Sequence, residues 1–215
     1  MMMNLPNILT IGRIALVPPF VAFFYLPHNA AAWATLGVFA LAAMTDYFDG
    51  WLARRLNQTS EFGRILDPIA DKLLVASALV MLTLRYEDEA PTLFAIPYGS
   101  MVIPVAAILC RELLIFGLRV GLAGRFSLPV SRLGKWKTAS QMAAIILMLF
   151  APTLLSFLDP DRSSGSGDLL GYLFIFLLLA GEILLWFAAI LSWLSAGLYI
   201  RAGWRQLPAR ARPGD

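Results

Sequence analysis

Four aspartates lie close together in the sequence, at spacings that suit metal binding. They are Asp46, Asp49, Asp67 and Asp71. Residues three or four apart share a face of a helix, so each pair can present two carboxylates on one side. Carboxylates without nearby histidine or cysteine favour Mg²⁺, Mn²⁺ or Ca²⁺. Paired carboxylates can hold two metals about 3.5 to 4 Å apart, an arrangement that serves phosphoryl transfer.

Small and basic residues accompany the aspartates. Gly50 and Ala53 follow the first pair and leave space for a ligand against the helix. Gly63 opens space before the second pair, and Arg54 can bind a phosphate or brace a carboxylate. The alternative is that the aspartates are solvated or paired with basic residues at helix ends, which suits one aspartate better than four.

The composition of the chain indicates what must position these residues. Of the 215 residues, 59% are hydrophobic and 14% are charged, whereas soluble domains carry about 25% charged residues. A soluble core of this size could not bury so much apolar surface, so we expect an all-α integral membrane protein. The single cysteine, Cys110, and the single histidine, His28, exclude an internal disulfide and metal sites built on clusters of either residue.

Six apolar stretches are long enough to cross a bilayer, which requires about 20 residues. They cover residues 8–26, 31–52, 65–84, 93–118, 138–158 and 169–200. Arginine and lysine concentrate in the second and fourth connections and after the last stretch, so both termini and the aspartates are expected on the cytoplasmic side. The short second connection predicts that its two helices are antiparallel neighbours, with converging aspartate pairs.

The chain shows no sign of a separate soluble domain. We expect one transmembrane catalytic domain over residues 1–207 and a flexible cytoplasmic tail over residues 208–215, which are rich in arginine, proline and alanine. The formal net charge of +3 suits contact with the headgroups of membrane lipids better than nucleic acid.

Two other classes of membrane protein use acidic residues. Ion transporters place carboxylates along ion paths, but they commonly contain internal repeats and a site at the bilayer midplane. Intramembrane prenyltransferases carry two aspartate motifs far apart, whereas all four aspartates here fall within 26 residues. Both alternatives are therefore less favoured than a phosphoryl-transfer enzyme.

The aspartate segment resembles the signature of a known family. Residues 46–71 read D-x2-D-G-x2-A-R-x8-G-x3-D-x3-D, which is similar to the CDP-alcohol phosphotransferases at every fixed position. Residues 7–13 (NILTIGR), 111–119 (RELLIFGLR) and 134–138 (GKWKT) resemble the members that act on glycerol phosphate. The resemblance covers roughly residues 4–200.

The resemblance implies a reaction and an architecture. CDP-diacylglycerol gives its phosphatidyl group to sn-glycerol 3-phosphate, and CMP leaves. The enzyme is expected to be a homodimer with the six-helix fold of the family, in the bacterial inner membrane, with two Mg²⁺ or Mn²⁺ ions. Inositol phosphate, serine and phosphatidylglycerol stay open as alternative acceptors.

The resemblance also implies roles for individual residues. Asp46, Asp49, Asp67 and Asp71 would bind the metals, and Asp71 would also be the general base for the acceptor hydroxyl. The residues implied on the donor side are Gly50, Ala53, Arg54, Gly63, Asn7 and Thr10.

The doubly anionic acceptor requires cations. Those expected to bind its phosphate are Arg111, Arg119, Lys135 and Lys137. Arg111 is the strongest candidate, because a charge inside an apolar helix is costly unless it faces a wet cavity. Glu112 could pair with Arg119, seven residues later. The alternative for the lysines is a role in topology and lipid contact.

Overall fold

The computed structural model describes residues 5–56, 61–86, 101–121, 132–155 and 166–206. Within these ranges the chain is entirely helical apart from short turns, which confirms the predicted all-α class. The helices are α1 (Leu5–Phe23), α2 (His28–Leu56), α3 (Glu61–Tyr86), α4 (Val102–Gly121), α5 (Arg132–Leu155) and α6 (Ser166–Gln206).

Each predicted apolar stretch coincides with one helix, with shifted boundaries. The fourth stretch was expected from residue 93, whereas α4 begins at Val102, and residues 87–100 lie outside the described ranges. The α6 helix has 41 residues and, at about 1.5 Å per residue, is roughly twice as long as the 30 Å hydrocarbon core of a bilayer.

Two helical segments in the described ranges combine the length and hydropathy required to cross a membrane. They are Leu133–Leu154 in α5 and Leu169–Arg201 in α6. Shorter apolar segments occupy Thr10–Phe23 in α1 and Asn29–Thr45 in α2. The six-span count therefore stays a prediction.

The α6 helix carries apolar residues outside and polar residues inside. Leu169 and Phe176 are 69% and 65% exposed, whereas Glu182, Ser192 and Ser195 are buried. A helix in lipid is expected to have this distribution, because apolar side chains can face the hydrocarbon while polar groups need partners inside the protein. The distribution supports insertion of this helix in a membrane.

Among the described residues, the most extensive contact between two helices joins α5 and α6. A Cβ atom added to Gly181 would lie 2.5 Å from Cγ of Met148, so the absence of a side chain at Gly181 permits this approach. The hydroxyl of Tyr86 on α3 donates a hydrogen bond to the Met148 carbonyl at 3.2 Å. The α5 helix is thereby tied to both α3 and α6.

The α1 helix packs against both α2 and α3. The Phe20 ring on α1 lies 6.2 Å from the Phe39 ring on α2, measured between centroids. The expected direct packing of α2 on α3 is not among the main contacts of the described residues. A short connection ties only the helix ends together, and here α1 packs against both helices.

Candidate functional site

All four aspartates lie on continuous helix. Asp46 and Asp49 belong to α2, and Asp67 and Asp71 belong to α3. Their side chains lie outside the described part of the structure, so the expected convergence of the two pairs stays a prediction. The helical backbone does establish the three- and four-residue periodicity on which the prediction depends.

The register of α2 relates the first pair of positions to the core. Thr35, Phe39 and Ala42 are buried and follow one another at spacings of four and three residues. Positions 46 and 49 continue this series at four and then three residues. Positions 46 and 49 are therefore in helical register with the buried residues of α2.

The same relation holds in α3. Leu74 and Ala78 are buried, and positions 67 and 71 precede Leu74 by seven and three residues on the same stripe. Both aspartate pairs thus share the helical register of buried residues on their own helix. Four acidic positions arranged in this way fit the hard-oxygen donor set of Mg²⁺ or Mn²⁺.

Among the side chains that the structure describes, no group of three or more histidine, cysteine, aspartate or glutamate residues gathers at one place. The four aspartate side chains are not among those described. Their role as metal ligands therefore stays a prediction.

A charged cluster joins α3, α4 and α5. The Glu112 carboxylate on α4 accepts hydrogen bonds from Lys72 Nζ on α3 and from Lys137 Nζ on α5. The side chains of Lys137, Glu112 and Lys72 are 8%, 16% and 33% exposed. Because two ammonium groups share one partly buried carboxylate, the cluster has an excess of positive charge.

Arg111, which precedes Glu112 on α4, connects this cluster to α6. Its Nε donates to the Ser192 carbonyl and its Nη2 to the Ser195 hydroxyl, both at 3.0 Å, and its Nη1 lies 3.1 Å from Glu112 Oε1. These hydrogen bonds compensate for the burial of the guanidinium group. That Arg111 also faces a wet cavity stays a prediction.

A cavity of about 370 Å³ lies between α3, α4 and α5, next to the charged cluster. Lys72, Glu112 and Lys137 line it together with Thr138 and Gln141. Apolar residues complete the wall, namely Ile69, Leu73, Val75, Ala76, Leu109, Leu113, Phe116 and Met142. Ligand pockets typically measure about 300 to 1,000 Å³, so this cavity is large enough for a small molecule.

The other predicted acceptor residues have different positions. Lys135 is exposed on α5 and precedes Lys137 by two residues, which places it about 200° away around the helix. The side chain of Arg119 lies outside the described residues. The predicted pairing of Glu112 with Arg119 is therefore untested, whereas pairing of Glu112 with Lys72, Lys137 and Arg111 is observed.

The predicted donor residues lie on the first three helices. Thr10 is buried on α1, and Asn7 belongs to the first turn of that helix. Gly50, Ala53 and Arg54 belong to α2 and Gly63 to α3, in segments where only the backbone is described. Their contact with a nucleotide stays a prediction.

Lys72 lines the cavity but is not among the acceptor-binding residues predicted from the sequence. It follows Asp71 directly, but its partner Glu112 is 40 residues away. Neither helical spacing nor a local motif relates the two residues. The signal available in the sequence was the cost of placing a charged lysine within a predicted membrane span.

The chain matches known proteins over most of its length. The family model described as CDP-alcohol phosphatidyltransferase matches residues 3–194. A Pseudomonas fluorescens protein named CDP-diacylglycerol–glycerol-3-phosphate 3-phosphatidyltransferase is 40% identical over 215 residues, covering 98% of this chain and 95% of the relative.

Two further relatives carry the same name. The Rickettsia typhi protein is 39% identical and covers 94% of this chain and 97% of its own length. The Escherichia coli K12 protein is 43% identical over 157 residues, which cover 72% of this chain and 81% of the relative. The chain therefore belongs to the CDP-alcohol phosphatidyltransferase family.

Proposed function

We propose that this protein transfers the phosphatidyl group of CDP-diacylglycerol to sn-glycerol 3-phosphate, giving phosphatidylglycerophosphate and CMP. The observation that carries the proposal is the near full-length similarity to relatives named for this reaction. The charge of the cavity supports a phosphorylated acceptor, because two ammonium groups line its wall.

The reaction exchanges one phosphorus–oxygen bond for another. The acceptor hydroxyl oxygen bonds to the phosphorus that carries the diacylglycerol, and the bond from that phosphorus to the CMP oxygen breaks. Asp71 takes the hydroxyl proton. A carboxylate suits this step when its position fixes the acceptor hydroxyl beside the phosphorus.

Asp46, Asp49, Asp67 and Asp71 would hold two divalent ions, Mg²⁺ or Mn²⁺. When bound, these ions supply charge that polarises the attacked phosphorus and neutralises the leaving CMP. The register of α2 and α3 supports this role, since the four positions share the helical register of buried residues on the two helices.

The donor occupies the side of the site formed by the first three helices. Gly50, Ala53 and Gly63 leave space for the cytidine diphosphate, and Arg54 binds one of its phosphates. Asn7 and Thr10 on α1 contribute polar groups to the same side. Support comes from the packing of α1 against both α2 and α3.

The acceptor phosphate binds at the charged end of the cavity. Lys137 contacts the phosphate directly. Arg111 adds positive charge through its ion pair with Glu112. Arg119 and Lys135 guide the anion toward the site from the cytoplasmic surface. Long-range attraction of this kind raises the rate of association more than the affinity.

The protein is a single transmembrane domain over residues 1–207 with a cytoplasmic tail at residues 208–215. Six spans place both termini and the active site on the cytoplasmic face of a bacterial inner membrane, where the arginine-rich connections satisfy the positive-inside rule. Membrane lipids surround a homodimer of this domain.

The test is the incorporation of labelled glycerol 3-phosphate into lipid by the purified protein, with CDP-diacylglycerol and Mg²⁺ or Mn²⁺. Equal amounts of labelled lipid and CMP are expected. Labelling from inositol phosphate, serine or phosphatidylglycerol, but not from glycerol 3-phosphate, would replace the acceptor and retain the family chemistry.

A further inference from the structure

We propose that Glu112 is a positioning residue for the acceptor, and that Lys72 is the second phosphate-binding cation of the same pocket. Glu112 acts through the two lysines, which it holds side by side at one end of the cavity. This inference rests on the proposed function, because it assigns the acceptor's phosphate to that cavity.

The geometry identifies Glu112 as the centre of the cluster. Its Oε2 accepts from Lys72 and its Oε1 from Lys137, so the two ammonium groups come from α3 and α5 but meet at one carboxylate. All three residues line the 370 Å³ cavity. Both lysines are therefore available to a ligand that enters this space.

The charges match a phosphate dianion. Lys72, Lys137 and Arg111 with one Glu112 carboxylate leave a formal charge of +2. Without the carboxylate, the three cations would repel one another in a partly buried site where solvent screens poorly. Lys72, the most exposed of the three, would then turn toward solvent.

Arg111 fixes the carboxylate that holds the lysines. Its hydrogen bonds to Ser192 and Ser195 join it to α6, and its Nη1 contacts Glu112 Oε1. The lysines are thus placed by an arrangement that exists before the acceptor binds. Preorganisation of this kind improves affinity by reducing the entropy lost on binding.

The experiment compares steady-state kinetics of the wild-type protein and Glu112→Gln in detergent. The amide cannot neutralise either lysine, so the KM for glycerol 3-phosphate should rise about tenfold or more, as loss of charge-assisted hydrogen bonds predicts. The KM for CDP-diacylglycerol and kcat should each stay within about twofold of the wild-type values. The reason is that the variant weakens acceptor binding equally in the ground state and the transition state.

A second variant tests whether the charge itself is responsible. Gln141 lies one helical turn after Lys137 and lines the same cavity, so Gln141→Glu returns a carboxylate to this wall. The double variant, Glu112→Gln with Gln141→Glu, should recover at least part of the acceptor KM. An acceptor KM that is unchanged in Glu112→Gln, or no recovery in the double variant, would overturn the inference.

Lys72→Met provides a second test of the proposal if the Glu112→Gln protein does not fold. It leaves Glu112, Lys137 and Arg111 paired and should also raise only the acceptor KM. An unchanged KM in this variant would overturn the role of Lys72. A fall in kcat together with similar rises in the KM values of both substrates would indicate that the cluster is purely structural. That result would also overturn the proposal.

Failure of the proposed function is recognised separately. A wild-type protein that releases CMP with serine but not with glycerol 3-phosphate would refute the proposed acceptor. The binding of glycerol 3-phosphate to the wild-type and Glu112→Gln proteins, measured by calorimetry, would still test the role of the cluster in phosphate binding. Weaker binding to the variant would support it, and equal or absent binding to both proteins would overturn it.

Discussion

Arg111 on α4 donates a hydrogen bond to the hydroxyl of Ser195 on α6 at 3.0 Å, and this pair fixes the charged cluster to the longest helix of the bundle. A second bond from Arg111 reaches the Ser192 carbonyl on the same helix. The arginine thus connects the α6 backbone with the Glu112 carboxylate. Packing between α4 and α6 and the electrostatics of the cavity are consequently coupled through one side chain.

Arg111→Ala should both destabilise the protein and weaken acceptor binding. Removing one partner from a buried charged pair costs about 3 kcal/mol or more, because the other polar groups lose their partner. Thermal unfolding in detergent should show a large loss, together with a raised acceptor KM and an unchanged donor KM.

Ser195→Ala is the matched control for Arg111→Ala. It removes a single hydrogen bond from the guanidinium and should cost only about 1 kcal/mol. A loss of stability in Ser195→Ala equal to that in Arg111→Ala would contradict the arrangement described for α4 and α6.

Asp71→Asn should abolish nearly all turnover and leave the protein folded. The amide cannot accept the acceptor's proton and is a weaker metal ligand than a carboxylate. CMP release measures turnover, and gel filtration with thermal unfolding checks the fold. Wild-type turnover in a folded Asp71→Asn protein would refute the role of Asp71 as the base.

Gly181→Ala should destabilise the contact between α5 and α6. The added Cβ would lie 2.5 Å from Met148 Cγ, and overpacking in a dense core costs about 1 to 3 kcal/mol. Gly171→Ala on the same helix is the control, because its Cβ would meet nothing within 4 Å. Equal melting temperatures of the two variants would show that the helices do not approach so closely.

Lys137→Ala and Lys135→Ala should differ in their effect on acceptor binding. Lys137 lines the cavity, so its removal should raise the KM for glycerol 3-phosphate about tenfold or more. Lys135 lies on another face of α5 and should have a smaller effect that disappears at high salt, because exposed charges are screened. The reverse order would place the acceptor outside this cavity.

The helices and the acidic positions could be predicted from local sequence properties. Apolar length predicts α5 and α6, and the spacing of Asp46, Asp49, Asp67 and Asp71 depends only on helical periodicity. The register of the buried residues in α2 and α3 is consistent with that periodicity.

The charged cluster could not be predicted in the same way. Glu112 pairs with residues 40 positions earlier and 25 positions later, and such pairs depend on how three helices pack. The sequence suggested Arg119 as the partner because it lies seven residues away on the same helix. The structure pairs Glu112 with Lys72, Lys137 and Arg111, and the pairing with Arg119 stays a prediction.

CMP release from CDP-diacylglycerol, compared among acceptors, tests the central claim most directly. The purified protein would be supplied with Mg²⁺ or Mn²⁺ and with glycerol 3-phosphate, inositol phosphate or serine in parallel, and with a chelator as the control. We predict release that requires both glycerol 3-phosphate and the divalent ion. Release that is independent of glycerol 3-phosphate, or none with any acceptor, would contradict the proposed function.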